Sequence, residues 1–233
     1  MSFKSGFVSI VGRPNVGKST LLNSITGEKI AIMSEKPQTT RNTIKAVVTG
    51  DDYQLVFIDT PGIHKPKNKL GDFMVNIAVE SLNEVDAVLF LVEANTAKPG
   101  PGDLYIIDQL KNVKSSVFLI INKIDLIDKS QLLPLIDTYK DLMNFESVIP
   151  ISALRDGKQD LLISEILKVM PEGPKYFPDD MLTDQPEKLI AAELIREKIL
   201  QLVSDEVPHG VGVEVISFKQ RGDKEIINIK ENN

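Results

Sequence analysis

Residues 12–19 read Gly-Arg-Pro-Asn-Val-Gly-Lys-Ser, and they stand between a β-branched apolar run, Phe7–Val11, and a helix-forming stretch that opens at Lys18. A strand, a glycine-cornered loop and a helix in that order open the βαβ rhythm of a doubly wound α/β domain. The chain is thereby committed to an α/β sheet whose loops gather at the carboxyl ends of its strands. The eight residues also fit G-x-x-x-x-G-K-[ST]. In that pattern backbone amides turn inward around a β-phosphate, Lys18 reaches the β/γ oxygens and the Ser19 hydroxyl faces Mg²⁺. The expected phosphate contacts are Gly12, Arg13, Pro14, Asn15, Val16, Gly17, Lys18, Ser19 and Thr20.

The rest of the chain keeps the same rhythm. Strands are predicted at Ile44–Thr49, Gln54–Ile58, Ala87–Val92, Val117–Ile121 and Ser147–Ile151. Helices are predicted around Leu70–Asn83, near Asp103–Lys111, near Gln131–Met143 and over Asp160–Met170. Gly50-Asp51-Asp52 is too short to carry a helix, so its flanking strands should pair antiparallel. The expected fold class is α/β: a doubly wound, mostly parallel six-stranded sheet with one antiparallel edge strand, followed by a small C-terminal α+β unit.

Residues 171–186 hold four prolines and few periodic apolar positions, which reads as a linker. Beyond it a helix can start at Pro186, capped by Asp184, with Leu189, Ile190, Ile195, Ile199, Leu202 and Val203 on one apolar face. Two short strands, Gly212–Phe218 and Glu225–Ile229, are expected after it, joined through Gln220 to Asp223. The predicted division is residues 1–172, a linker over 173–185, and a smaller unit over 186–233.

A second motif selects the base. Residues 122–125 read Asn-Lys-Ile-Asp. The Asp125 carboxylate can accept from guanine N1–H and the 2-amino group together, with Asn122 and Lys123 beside it, whereas adenine offers an acceptor and no 2-amino group there. Sites with such a donor–acceptor match reject the mismatched analogue by roughly 10⁴–10⁵. GTP and GDP therefore outrank ATP, and an ATP-driven enzyme is disfavoured. Ser152-Ala153-Leu154, after the sixth strand, can offer a backbone N–H to guanine O6.

Asp59-Thr60-Pro61-Gly62 closes the third strand, where Asp59 can hold a Mg²⁺-bound water and the Gly62 amide can reach a γ-phosphate. Between it and the first loop lies Gln38-Thr39-Thr40-Arg41-Asn42, long enough to fold over a nucleotide. Thr40, with Thr39 as the alternative, is the expected hydroxyl ligand, which makes Ser19, Thr40 and Asp59 the metal set. Side-chain activation of water from the position after Gly62 is excluded, because Ile63 has no polar atom. Arg13 and Arg41 read as solvated loop residues, so neither is assigned as an arginine finger. Turnover is expected to be slow, with Lys18, Thr40, Gly62 and backbone amides as the catalytic groups.

Other functions are narrowed by what the chain lacks. With no cysteine and two isolated histidines, His64 and His209, a disulfide framework or thiolate zinc site is excluded. No export signal is apparent at the N-terminus, and no apolar run approaches the roughly 20 residues that span a bilayer. A cytoplasmic location is expected. A net charge of −6 argues against nucleic-acid binding through overall charge. Lys65, Lys67 and Lys69 follow Gly62; they read either as a solvated loop or as a nucleotide-gated contact to RNA.

The order and wording of these motifs resemble one family. Residues 30–47, Ile-Ala-Ile-Met-Ser-Glu-Lys-Pro-Gln-Thr-Thr-Arg-Asn-Thr-Ile-Lys-Ala-Val, residues 59–67, Asp-Thr-Pro-Gly-Ile-His-Lys-Pro-Lys, and residues 193–199, Glu-Leu-Ile-Arg-Glu-Lys-Ile, look like the bacterial Era family of ribosome-assembly GTPases. The resemblance implies a P-loop GTPase domain followed by a KH-type RNA-binding domain that contacts 16S rRNA while the 30S subunit matures. A KH domain clamps the nucleic-acid backbone with a G-x-x-G loop. Here the glycines after residue 173 are Gly210, Gly212 and Gly222, none three apart, so residues 186–233 correspond to the opening part of such a domain without its clamp.

The resemblance also implies that Asn15 stands where related GTPases bind an activating K⁺ ion beside the phosphates. Peripheral contact with the inner membrane stays open beside the cytoplasmic location, although no strongly basic amphipathic helix advertises it. A monomer is expected. The competing expectation is a GTP/GDP-dependent binding module with negligible hydrolysis, which Ile63 keeps open.

Overall fold

The computed structural model describes residues 2–31, 44–59, 82–155, 159–202, 212–220 and 227–231. Six strands form one sheet: β1 (Lys4–Gly12), β2 (Ile44–Thr49), β3 (Tyr53–Asp59), β4 (Ala87–Glu93), β5 (Ser116–Asn122) and β6 (Ser147–Pro150). Their order is β2-β3-β1-β4-β5-β6, parallel throughout except for the antiparallel β2–β3 pair at one edge. Gly50 closes that pair, its N–H donating to the Tyr53 carbonyl at 2.9 Å. The doubly wound sheet with one antiparallel edge is thus as the sequence predicts.

Successive residues of a strand face opposite sides, and here both sides are covered, which is why the strands read as unbroken apolar runs. Val8, Ile10, Leu89, Leu91, Phe118 and Ile120 pack toward α1 (Lys18–Thr26) and the later helix α4 (Gln159–Val169), which contribute Leu21, Leu22, Leu162 and Ile166. On the other face Val88, Phe90, Leu119 and Ile121 pack toward α2 (Pro101–Leu110) and α3 (Lys129–Lys140), through Ile106, Leu110, Leu135 and Tyr139. The chain winds outward in opposite directions from β1, so the carboxyl ends of β1 and β4 flank the crevice where such sheets bind ligands.

The helices shift slightly from their sequence-based bounds. Gly100 and Pro101 start α2 two residues early, with the Asp103 carboxylate accepting the Gly100 N–H at 3.0 Å. Helix α3 starts at Lys129 behind an Asp128 cap and stops at Lys140, three residues before Met143. Of the helix expected around Leu70–Asn83, residues 70–81 lie outside the described residues, and Leu82–Glu84 is a single 3₁₀ turn.

Residues 171–186 are not a free tether. The Ser5 N–H donates to the Pro171 carbonyl at 3.2 Å, and the buried Gln54 carboxamide holds the next part. Its oxygen accepts the N–H groups of Tyr176 and Phe177 at 2.7 and 2.9 Å, and its nitrogen donates to the Phe177 carbonyl at 2.9 Å. Tyr176 also packs on Phe7, ring centroids 4.9 Å apart. Farther on, the Val47 N–H donates to the Leu182 carbonyl at 2.9 Å, and Ala46 bridges Thr183 antiparallel.

Among the described residues, the C-terminal part contains α5 (Glu187–Leu202) and an antiparallel pair, β7 (Val215–Gln220) and β8 (Ile227–Glu231). The strands sit two to three residues later than expected, and Gln220 ends β7 instead of opening the turn. Asp184, expected as the helix cap, faces Lys45 Nζ at 3.6 Å. The expected apolar face of α5 is corrected too. Leu202 is exposed and Leu189, Ile190, Ile195 and Ile199 are half-buried, whereas Ala192, Arg196 and Glu197 are buried; Val203 lies outside the described residues. Pairing allows this: Arg196 meets Glu193 at 2.6 Å, and Glu197 meets Lys29 at 2.7 Å.

Candidate nucleotide site

The loop after β1 has the form of an anion cradle. Gly17, at φ 101°, ends the loop in the left-handed region and leads directly into α1. A Cβ there would collide with the Asn122 carboxamide, so glycine is required by space as well as by backbone angle. Helix α1 has no acidic residue in its first turn and no side-chain cap, so the positive end of its dipole faces the loop. Lys18 Nζ reaches back to the carbonyls of Gly12 and Arg13 at 3.2 and 3.1 Å. Burial pushes its pKa below the usual lysine value, with the charge of Asp59 acting the other way.

Asp59, fully buried at the end of β3, accepts from Ser19 Oγ at 3.3 Å. One hydroxyl and one carboxylate side by side are hard oxygen donors, the type Mg²⁺ takes, and it completes its octahedron with phosphate oxygens and water. Among the described residues no group of three or more His, Cys, Asp or Glu is placed to hold a metal on its own. The Ser19–Asp59 pair fits a cation that takes its other ligands from a polyphosphate and water.

Asn122, at the end of β5, ties the two ligand loops together. Its Nδ2 donates to the Val16 carbonyl at 2.8 Å, and its Oδ1 accepts the Ala153 N–H at 2.9 Å. Lys123, in the left-handed region at φ 64°, donates to the Asn15 carbonyl at 2.7 Å and forms an ion pair with Glu93. Asp125 accepts from Ser152 Oγ at 2.6 Å on one oxygen, while its other oxygen lies 3.5 Å from Arg155 Nε. Ser152 thus orients the carboxylate. The Ala153 N–H, in the segment expected to face the base, is held by Asn122 Oδ1.

The structure brings together Gly12 to Thr20, Asp59, Asn122, Lys123, Asp125 and Ser152 to Leu154 at the carboxyl ends of β1, β3, β5 and β6. Thr39, Thr40, Thr60, Pro61, Gly62 and Ile63 lie outside the described residues, as do Arg41, the lysines at 65, 67 and 69, and both histidines. Arg13 is not the solvated group expected from its loop position. Its Nε donates to the buried Asp103 at 2.7 Å, and Nη2 lies 3.9 Å from Glu93. Glu93, Asp103 and Arg155 belong to no motif in the sequence, and only a fold that places their partners reveals them.

Comparisons with known proteins agree with this geometry. A family model described as 50S ribosome-binding GTPase matches residues 7–123. GTPase Era of Ruminiclostridium cellulolyticum is 65% identical over 230 residues, covering 99% of this chain and 76% of that protein. GTPase Era of Clostridioides difficile is 58% identical over 228 residues, covering 97% and 76%. A crystal structure of Era in complex with MgGDPNP and a segment of 16S ribosomal RNA is similar at a TM-score of 0.87 and 42% identity, covering 98% of this chain and 78% of that one. A structure of a variant of Aquifex aeolicus Era bound to GDP and AlF₄⁻ matches with the same TM-score, identity and coverage.

Proposed function

The chain belongs to the GTPase Era family, and on that footing we propose that it uses GTP binding and slow hydrolysis to time its departure from the maturing 30S ribosomal subunit. The observation that carries the nucleotide reading is the Asp125 carboxylate held by Ser152 at 2.6 Å on the same end of the sheet as the Lys18 loop. One group reads the base and the other grips the diphosphate.

In this reading Asp125 accepts from guanine N1–H and the 2-amino group, and a backbone N–H of Ser152-Ala153-Leu154 takes O6. The α1 amides and Lys18 hold the β- and γ-phosphates, so charge that develops on the bridging oxygen meets donors already in position. Mg²⁺, which accompanies GDPNP in the related structure, supplies charge neutralisation between the β- and γ-phosphates when bound. Ser19 and Asp59 would hold it, with Thr40 as a further hydroxyl. The Gly62 amide, which follows Thr60 and Pro61, senses the γ-phosphate. Ile63 has no means of orienting water, and Arg13 is tied down by Asp103, so this chain's own groups work by positioning and electrostatics alone. A K⁺ ion beside Asn15 would supply the positive charge that no arginine brings.

The same reading divides the chain into a nucleotide domain over residues 1–172, a connecting segment over 173–185, and part of a KH-type domain over 186–233 that contacts 16S rRNA. It assigns the protein to the cytoplasm as a monomer, with peripheral contact at the inner membrane.

Two measurements test it. Single-turnover hydrolysis of γ-labelled GTP should be faster in KCl than in NaCl, and Asn15→Ala should abolish the difference. Equal rates in the two salts remove K⁺ from the mechanism, and no phosphate release above background in either removes hydrolysis. An oligonucleotide from the 3′ region of 16S rRNA should bind more tightly with GDPNP than with GDP; equal affinity would count against the timing role.

A further inference from the structure

Four charged side chains run in a line behind the nucleotide loops. Asp103, fully buried in the first turn of α2, accepts the Arg13 Nε–H at 2.7 Å on one oxygen and the Gly100 N–H at 3.0 Å on the other. Arg13 lies across the start of α2, where a Cβ on Gly102 would come within 2.7 Å of Arg13 Cδ. The far end of the guanidinium faces Glu93 at 3.9 Å, and Glu93 pairs in turn with Lys123. Lys123 then returns to the phosphate loop by donating to the Asn15 carbonyl at 2.7 Å.

The backbone marks the same link. Among the described residues, the non-glycine residues with positive φ are Asn15 and Lys123, at 66° and 64°, and they are the two ends of that last hydrogen bond. A lysine in the left-handed region is sterically disfavoured and persists where its surroundings over-determine it.

We infer that Asp103, Arg13, Glu93 and Lys123 form a brace that holds the phosphate loop and the base loop in binding geometry, with Asp103, on a helix outside every nucleotide motif, as a positioning residue. The inference rests on the nucleotide-site reading. Asp103 touches no ligand itself; it acts through Arg13, whose carbonyl also receives Lys18 Nζ at 3.1 Å. The plainer alternative makes Asp103 only a helix cap. Asparagine preserves that role, since its oxygen still accepts the Gly100 N–H, while it removes the charge that Arg13 needs.

The test is the release rate of a fluorescent GDP from the full chain in Mg²⁺, chased with excess unlabelled GDP. Asp103→Asn and Arg13→Gln should each speed release by about tenfold, and the pair together by no more than about tenfold, because both remove one shared link. The ligand-free melting temperature of Asp103→Asn should stay within about 3 °C of the parent. Singles within twofold of the parent, or a pair that multiplies to about a hundredfold, would overturn the brace. If Asp103→Asn does not fold, Glu93→Gln, which leaves the helix cap untouched, should show the same acceleration, and unchanged release there overturns the inference equally. A parent protein that binds no fluorescent GDP sinks the nucleotide site and the brace together; a parent that binds and variants that release normally sink the brace alone.

Discussion

Replacing Asp125 by asparagine should move the preference from guanine toward xanthine nucleotides. In the ligand-free geometry one Asp125 oxygen accepts from Ser152 Oγ at 2.6 Å and the other lies 3.5 Å from Arg155. Ser152 would hold the new carboxamide oxygen as it holds Oδ1 now, which turns the NH₂ group toward the base. Two hydrogen bonds from guanine to a charged acceptor are lost, at about 1.5–3 kcal/mol each. The sum, roughly 3–6 kcal/mol, corresponds to a fall in GDP affinity of about 10²–10⁴. Xanthine carries an oxygen where guanine carries its 2-amino group, so the same NH₂ becomes a matched donor. Competition titrations with GDP and XDP against a fluorescent nucleotide read both changes. A variant that keeps GDP affinity within threefold, or gains nothing for XDP, would refute the assignment of Asp125 as the base reader.

Burial holds the Lys18 pKa below its ordinary value of about 10.4. Between the depressed folded value and the ordinary one the unfolded chain binds more protons, so ligand-free stability should rise with pH across that window. Phosphate restores the proton, so GDP binding there should take up protons and weaken as pH rises; calorimetry in buffers of different ionisation enthalpy reads the sign, and proton release would contradict it. Gln54→Ala removes the partner of three backbone groups of Tyr176 and Phe177 and should cost about 2–4 kcal/mol in urea unfolding. A cost under about 0.5 kcal/mol would mean the segment is not held there. Asn122→Ala cuts both ties between the Val16 and Ala153 loops and should weaken GDP binding at least about tenfold; unchanged affinity would show that the loops hold their geometry without it.

The centre of the sheet was legible because its strands β4 and β5 are buried on both faces. Ala87–Val92 and Val117–Ile121 offer unbroken apolar runs of strand length, and the stretch between them is long enough for the helix that a parallel crossover needs. The ligand motifs were legible for a different reason: Gly17, Lys18, Asn122 and Asp125 are fixed by chemistry at fixed spacing. What escaped was pairing across distance. Arg13 reads as a solvated loop residue until Asp103, ninety positions away, is brought beside it. Residues 171–186 read as a linker from their prolines, and their docking on the sheet is not legible because the anchor, Gln54, is a buried polar residue far away in sequence. On the α5 face, Glu197 is buried against Lys29, a partner that helical periodicity cannot reveal, while Arg196 is buried with Glu193 one turn before it.

An open sheet leaves two flanks whose backbone groups could recruit a strand from another molecule. On one flank the residues around Leu182 and Thr183 already lie against β2, so a stray strand would first have to peel the chain away from itself. On the other, β6 is four residues long and ends at Pro150, which has no N–H to donate. The folded protein is thereby guarded against strand-by-strand aggregation on one flank by the segment that links its two parts and on the other by a short strand with a proline at its end.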